Sequence, residues 1–383
     1  MNFAFTEDQT DLRTAVRQVF EAECTPADVR RALGPPDRPD GEPSRERWNV
    51  LAQLGAPGLL APPPAGLGLG DVELVVVLEE AGRAALPEPL AETAGLLVPL
   101  LVAAGGSDAR VSQHLEGLAA GALLGAVGGL EITEDGWSVS TVERPDGSAR
   151  TPRVVAGMSA DAMALAVTGA SGPELHLLGA SESDREPVAT LDPTRRLAEV
   201  AWHPSPHTLL ASGDRALELL GLLADRGALT SAAQLLGVAQ RLLDLSAAYA
   251  RERRQFGQPI GSFEAVKHLL ANVAVRLEFS RPAVYRAAWS MAASPATRSH
   301  DASIAKALAS DTADLAALTA VQVHGAIGYT WECDVQLWAK RAWALAAGWG
   351  DASVHRALVL REAVARATAT SSTGKSGTTT SGG

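Results

Sequence analysis

Arg253-Arg254-Gln255-Phe256-Gly257-Gln258-Pro259-Ile260-Gly261-Ser262-Phe263-Glu264-Ala265-Val266-Lys267-His268 is a short Gly/Pro break, packed with cations, between two long segments of helical apolar period. Arg251, Arg253 and Arg254 gather where the preceding helix should end. Two physical readings compete for them. One is a solvated helix C-terminus whose cations complement the dipole. The other is a bound anion, most commonly phosphate, gripped by planar guanidinium forks. Gly257 lets the chain turn with no side chain in the way.

Outward from this break the helix period is sustained near 214–251, 263–292, 301–325 and 333–367, with short interruptions. That spacing predicts an antiparallel four-helix bundle over 206–367. One interruption, Gln322-Val323-His324-Gly325-Ala326-Ile327-Gly328-Tyr329, carries glycines of its own. Upstream, Gly136-Trp137-Ser138-Val139-Ser140-Thr141-Val142 alternates apolar with polar, and Pro145-Asp146-Gly147 is a turn. Short apolar runs at 163–168, 174–178 and 197–202 complete a small, β-barrel-like unit at 125–205. Residues 1–124 read as helical. Thr6 followed by Gln9 forms a capping box, with Leu12, Val16 and Phe20 on one face of the first helix. Gly34 to Ser44 and Pro62 to Gly70 read as loops, and 368–383 as a disordered Ser/Thr/Gly-rich tail. The expected class is mainly α with a central β unit.

A chain of 383 residues can bury a large core. A net charge of −11 argues against nucleic-acid binding. The two cysteines, Cys24 and Cys333, lie far apart without metal-ligand spacing, which fits a reduced compartment and no metal site. The N-terminus lacks a basic region followed by an apolar run, and the most apolar stretches, Leu96–Ala104 and Leu118–Leu130, are too short or too Gly-rich to span a bilayer. The expectation is a cytoplasmic protein with no membrane contact. Gly66-Leu67-Gly68-Leu69-Gly70 has no βαβ context and reads as a turn, not a nucleotide loop.

The two quoted breaks, with helices, a β unit and a helical bundle in that order, resemble the acyl-CoA dehydrogenases over nearly the whole chain to about 366. Leu78-Glu79-Glu80-Ala81-Gly82-Arg83 and Leu86-Pro87-Glu88-Pro89-Leu90 look like the actinobacterial branch, many of whose members take bulky acyl-CoA thioesters, often as heteromeric pairs. The resemblance implies FAD as cofactor, an acyl-CoA-type substrate, an electron-accepting flavoprotein partner and a homo- or hetero-oligomer. It assigns the pyrophosphate contact to Arg253, with Gln255 and Phe256 beside it, and a second flavin-contacting turn to Gln322, Gly325 and Ala326, both acting across a subunit interface. Ala326 stands where a second glycine is usual. His324 reads as a packed interface histidine.

The departures concern the base. In the family a glutamate takes the α-proton of the thioester while the flavin takes the β-hydrogen as hydride. Counted from Gly325, that glutamate's place falls on Trp349, in Gly348-Trp349-Gly350-Asp351. An indole cannot act as a base. Asp351 stands two residues on. Other relatives carry the base on the first bundle helix, where the nearest carboxylate here is Asp225, set two residues off and readable also as a surface pair with Arg226. Gly128-Gly129-Leu130-Glu131-Ile132-Thr133-Glu134-Asp135-Gly136 replaces the family's Thr-Glu-x-x-x-Gly-Ser segment, whereas Leu191-Asp192-Pro193-Thr194-Arg195-Arg196-Leu197 matches, Asp192 before proline marking a turn. The implied function is FAD-dependent α,β-dehydrogenation of an acyl thioester, either by this chain with a base of its own or as one subunit of a heteromer whose partner supplies the base. The alternatives are a catalytically inactive flavin-completing subunit or a member repurposed for specialised metabolism.

Overall fold

The computed structural model describes residues 5–35, 41–105, 108–294 and 296–373. Helix α1 (Glu7–Glu23) opens on the expected capping box: Gln9 donates its backbone N–H to Thr6 Oγ1, and Thr6 N–H reaches Gln9 Oε1 at 3.1 Å. Val16 and Phe20 are buried on its inner face. Thr25 and Asp28 make a second capping box for α2 (Pro26–Leu33). Part of the expected loop from Gly34, residues 36–40, lies outside the described residues. Next come α3 (Arg45–Gln53), α4 (Asp71–Ala84), a π-helical turn (Ala91–Leu97) running into α5 (Val98–Ala104), and α6 (Ala109–Ala119).

The middle strands are β1 (Gly125–Gly128), β2 (Leu130–Thr133), β3 (Gly136–Val139), β4 (Val142–Glu143), β5 (Ala149–Val154), β6 (Ala162–Gly169), β7 (Gly172–Gly179), β8 (Ser183–Pro187), β9 (Ala198–Trp202) and β10 (Leu209–Ser212). They form two four-stranded sheets, ordered β1-β6-β7-β10 and β4-β5-β9-β8, with β2 and β3 as a separate hairpin. The sheets share one apolar core, in which Ala126, Met163 and Leu165 meet Val154, Val200 and Trp202. No closed barrel forms among the described residues. The barrel-like expectation gives way to a two-layer packing because the edge strands β4 and β8 do not meet.

The bundle begins with α7 (Gly213–Glu252), followed by a β-hairpin of β11 (Arg254–Gln255) and β12 (Gln258–Pro259), then α8 (Glu264–Ala293) and α9 (Arg298–His324). The stretch read as one helix over 333–367 is two, α10 (Val335–Ala347) and α11 (Ala352–Thr373). The break falls at Gly348–Asp351, where Trp349 takes φ +58° and Gly350 φ +81°, conformations no right-handed helix contains. Helix α11 continues to Thr373, past residue 368 where disorder was expected, and residues 374–383 lie outside the described residues. Among the described residues no helix is long and apolar enough to cross a membrane.

Candidate functional site

The Phe256-Gly257 hairpin turn has φ +52° and +80°, a two-residue turn with both central residues left-handed. Phenylalanine pays steric strain there, and its ring is 91% exposed. Such strain at an exposed aromatic is out of place in a merely solvated helix end. Arg253 caps α7, its N–H bonding Tyr249 O at 2.8 Å, and its side chain is exposed, as are those of Arg251 and Gln255. Gln322 and Ala326 are exposed too, and Gly325 ends α9 at φ +64°. Tyr249 and His324 stack with centroids 4.3 Å apart, so the two breaks distant in sequence leave the bundle from one place. His324 is thus packed within its own chain, on Tyr249. Ile327 and Tyr329, 45% and 84% exposed, extend the same surface.

None of these six predicted cofactor contacts lines the large open cavity. That cavity, of about 600 Å³, lies between the β layers and the bundle. Leu96, Leu130, Leu191, Leu345 and Trp349 supply apolar wall, and Ser140, Thr190, Ser231, Arg153 and Arg195 supply polar groups. Gly128 and Gly129 line it at the β1 end. An apolar slot with a few convergent polar groups suits an aromatic, heteroatom-rich ring such as a flavin. Glu92 and Arg195 on its wall are paired at 2.6 Å.

Trp349 lies on this wall because α7 has no side chain at Gly227. A Cβ there would fall 2.1 Å from Trp349 Cδ2. Two buried side chains beneath the loop hold its backbone. Lys306 Nζ donates to Ala346 O at 2.8 Å and Gly350 O at 2.9 Å and reaches Ser310 Oγ at 3.2 Å, while His355 Nε2 meets Trp349 O at 2.8 Å and its Nδ1 meets Ser303 Oγ. Burial brings Lys306 down to about 7 and His355 down to about 4. A neutral lysine still serves the loop, since its two N–H groups satisfy two carbonyls and its lone pair can accept from Ser310. Of these residues the sequence marks only Lys306, a single lysine among the small residues Ala302, Ala305, Ala307 and Ala309.

The histidine makes the loop acid-sensitive. Its folded-state value lies below the ordinary 6.5, so the unfolded chain takes up the proton first and stability falls as pH drops through 6.5 toward 4. Urea midpoints at pH 7.5 and 4.5 should show about 2–3 kcal/mol more loss in the wild type than in His355→Gln, which keeps an N–H donor but does not titrate. Equal losses would remove His355 from the acid response.

Of the two candidate aspartates, Asp351 lines the cavity and Asp225 does not. Asp351 caps α11: Oδ1 accepts from Ser353 Oγ at 2.6 Å, Ser353 N at 2.8 Å and Val354 N at 2.9 Å. The Ser353 hydroxyl first, then the Val354 amide, hold its carboxyl below the usual range. Asp225 is buried, away from the cavity wall, and accepts from Arg298 Nε at 2.7 Å and Ser299 Oγ at 2.9 Å. Burial raises its value despite the Arg298 pairing. The expected Asp225–Arg226 surface pair does not form. Adjacent helical residues point apart, and Arg226 instead bonds Asp71 at 2.8 Å.

Residues 6–122 match the acyl-CoA dehydrogenase N-terminal domain and 221–364 the acyl-CoA dehydrogenase C-terminal domain. The acyl-CoA dehydrogenase IpdE2 of Mycolicibacterium smegmatis is 34% identical over 339 residues, covering 88% of this chain and 93% of that protein. Butyryl-CoA dehydrogenase from Megasphaera elsdenii superposes with TM-score 0.81 at 22% identity, over 95% of this chain and all of that one (100%). A chain of the ChsE4-ChsE5 complex from Mycobacterium tuberculosis superposes with TM-score 0.80 at 25% identity, over 95% and 99%. With both domain matches and a relative this similar along its length, the chain belongs to the acyl-CoA dehydrogenase family of oxidoreductases acting on CH–CH bonds.

Proposed function

We propose that this chain is the flavin-completing subunit of a heteromeric acyl-CoA dehydrogenase, with the α-proton of the thioester taken by a carboxylate of the partner chain. The observation that carries this reading is the cavity wall itself. Trp349, the residue on which the family's base position falls by count, lines it, Asp351 Oδ1 is taken up by a helix cap, Glu92 is paired with Arg195, and Glu131 is exposed. The likeness to the ChsE4-ChsE5 complex supports a two-chain assembly.

The chemistry a bound flavin supplies is acceptance of the Cβ hydrogen as hydride. The residues of this chain prepare for it. Leu96, Leu130, Leu345 and Trp349 give the slot its apolar wall, and Ser140, Thr190 and Arg153 offer polar anchors on the β side. On the outer surface Arg253, Gln255, Phe256, Gln322, Gly325 and Ala326 present a guanidinium, two amides and open backbone to a dinucleotide seated largely on a neighbouring subunit. Phe279, Val275 and Leu318, 75%, 54% and 57% exposed on α8 and α9, offer the apolar contact an assembly needs.

Purification of the chain alone and with its co-expressed partner, followed by flavin absorbance and anaerobic titration with straight-chain, branched and steroid-ring acyl-CoAs, tests the reading. Flavin stoichiometry is expected to rise with the partner, with bleaching confined to the pair. A chain that alone carries one flavin and is bleached by a thioester would overturn it.

A further inference from the structure

The cavity wall holds one unused cation. Of its two arginines, Arg195 is paired with Glu92, whereas Arg153 is exposed and has no hydrogen-bond or ion-pair partner among the described residues. Its backbone is equally unusual. Arg153 has φ +50°, a left-handed conformation that costs a non-glycine residue energy. It also sits in a β-bulge: the β5–β9 register breaks between Thr151, opposite Val200, and Val154, opposite Ala198. An extra residue at such a point re-aims a side chain out of the sheet's alternation.

The residues flanking the bulge are immobilised. Thr151 is fully buried, accepts from Trp202 Nε1 at 3.1 Å and bonds Thr141 Oγ1 at 2.9 Å. Val154 is 1% exposed in the core between the sheets. A cavity-lining guanidinium therefore stands on a rigid pedestal that maintains local strain, in a chain of net charge −11 where intramolecular partners are plentiful. Strain retained at an unpaired charge in a cavity points to recognition.

We propose that Arg153 is an anion-recognition residue of this cavity, pairing its guanidinium with a carboxylate or phosphate oxygen of the bound ligand. The inference rests on the reading of the cavity as the flavin and thioester site. Two sources offer that chemistry: a second carboxylate on the acyl group, or a phosphate of the dinucleotide or of coenzyme A. A planar fork matches either bidentately.

The test uses the full chain, with its partner where flavin retention requires one, and measures dissociation constants for FAD, glutaryl-CoA and pentanoyl-CoA. Arg153→Gln removes the charge, Arg153→Lys keeps it without the fork, and Arg153→Gly removes both while suiting the left-handed backbone, so its melting temperature should be no lower than wild type. Glutaryl-CoA binding weakened tenfold or more in Arg153→Gln, with pentanoyl-CoA and FAD unchanged, assigns an acyl carboxylate. A like loss for FAD, or for both thioesters, assigns a phosphate. Partial recovery in Arg153→Lys is expected in either case. If the wild type binds these ligands and neither Arg153→Gln nor Arg153→Gly changes any constant, the arginine's role is overturned alone. A wild type that binds none of the three overturns the cavity's assignment and the arginine's with it.

Discussion

Gly237→Ala is expected to prevent stable folding, while the same exchange at Gly221, on the same helix, is expected to be harmless. Helices α4 and α7 cross through a notch of small residues. A Cβ at Gly237 would lie 1.8 Å from Glu79 O and 2.6 Å from Arg83 N, and one at Gly82 would lie 2.0 Å from Gln234 O. The obstructing atoms are backbone on both sides, so no rotamer change relieves the clash and the helices must part. Parting them opens a contact that buries Leu74, Val75, Leu78, Leu235, Leu236 and Val238 in one core. A loss of about 5 kcal/mol or more is expected, comparable with the whole stability of many domains. At Gly221 the nearest foreign atom to a new Cβ is Trp137 Nε1 at 3.6 Å, ordinary contact. There alanine should stabilise by about 0.5–1 kcal/mol through helix propensity alone. Soluble yield and thermal melts of the two variants check the contrast. A folded Gly237→Ala with a near-native melting temperature would mean that α4 and α7 can separate without loss.

What was legible in the sequence was local. The Thr6–Gln9 capping box, the period of α7, α8 and α9, and the turn at Gly257 each depend on residues a few positions apart, and each appears where read. The Gly348-Trp349-Gly350 break was not read as a break, because apolar spacing runs on across it. Its cause is distant: Trp349 leaves the helical path to lie over Gly227, with Lys306 and His355 holding the carbonyls it turns away. Asp225 shows the same limit. Its neighbour in sequence offered an ion pair, yet its partner is Arg298, 73 positions away. The candidate site divides likewise. The Arg253 and Gln322 segments carry a recognisable pattern, whereas Arg153 is marked only by a register break and a left-handed φ, neither of which a one-dimensional pattern displays.

The second large effect is expected from Asp192→Ala. The turn at Asp192-Pro193 was legible: Asp192 Oδ1 accepts from Thr194 N at 3.2 Å and Oγ1 at 2.5 Å. Its other oxygen does what no local reading shows, accepting from Arg341 Nε on α10 at 2.5 Å. Arg341 is 1% exposed and spends its remaining fork on Thr194 Oγ1 at 2.7 Å and Leu86 O at 2.9 Å. One guanidinium thus joins the β layer, the chain after α4, and the bundle. Burial pushes the Asp192 carboxyl up, but Arg341 and the Thr194 hydroxyl outweigh it and leave the group below the ordinary 3.8. This stabilisation is therefore present above pH 3.8 and lost as pH falls through the depressed folded value. Alanine leaves a buried, unpaired guanidinium, at a cost of about 3–5 kcal/mol in urea unfolding. Asp192→Leu with Arg341→Met should recover most of it, since an apolar pair of similar volume avoids the desolvation of both charges. The functional consequence follows from position. Thr190, Leu191 and Arg195 line one side of the cavity, and Trp343, Ala344 and Leu345 of α10 line the other, so this pair ties the two walls together. If the ion pair fixes their spacing, the double variant regains stability without regaining the cavity's wild-type ligand affinity. If apolar packing suffices to fix it, both return together.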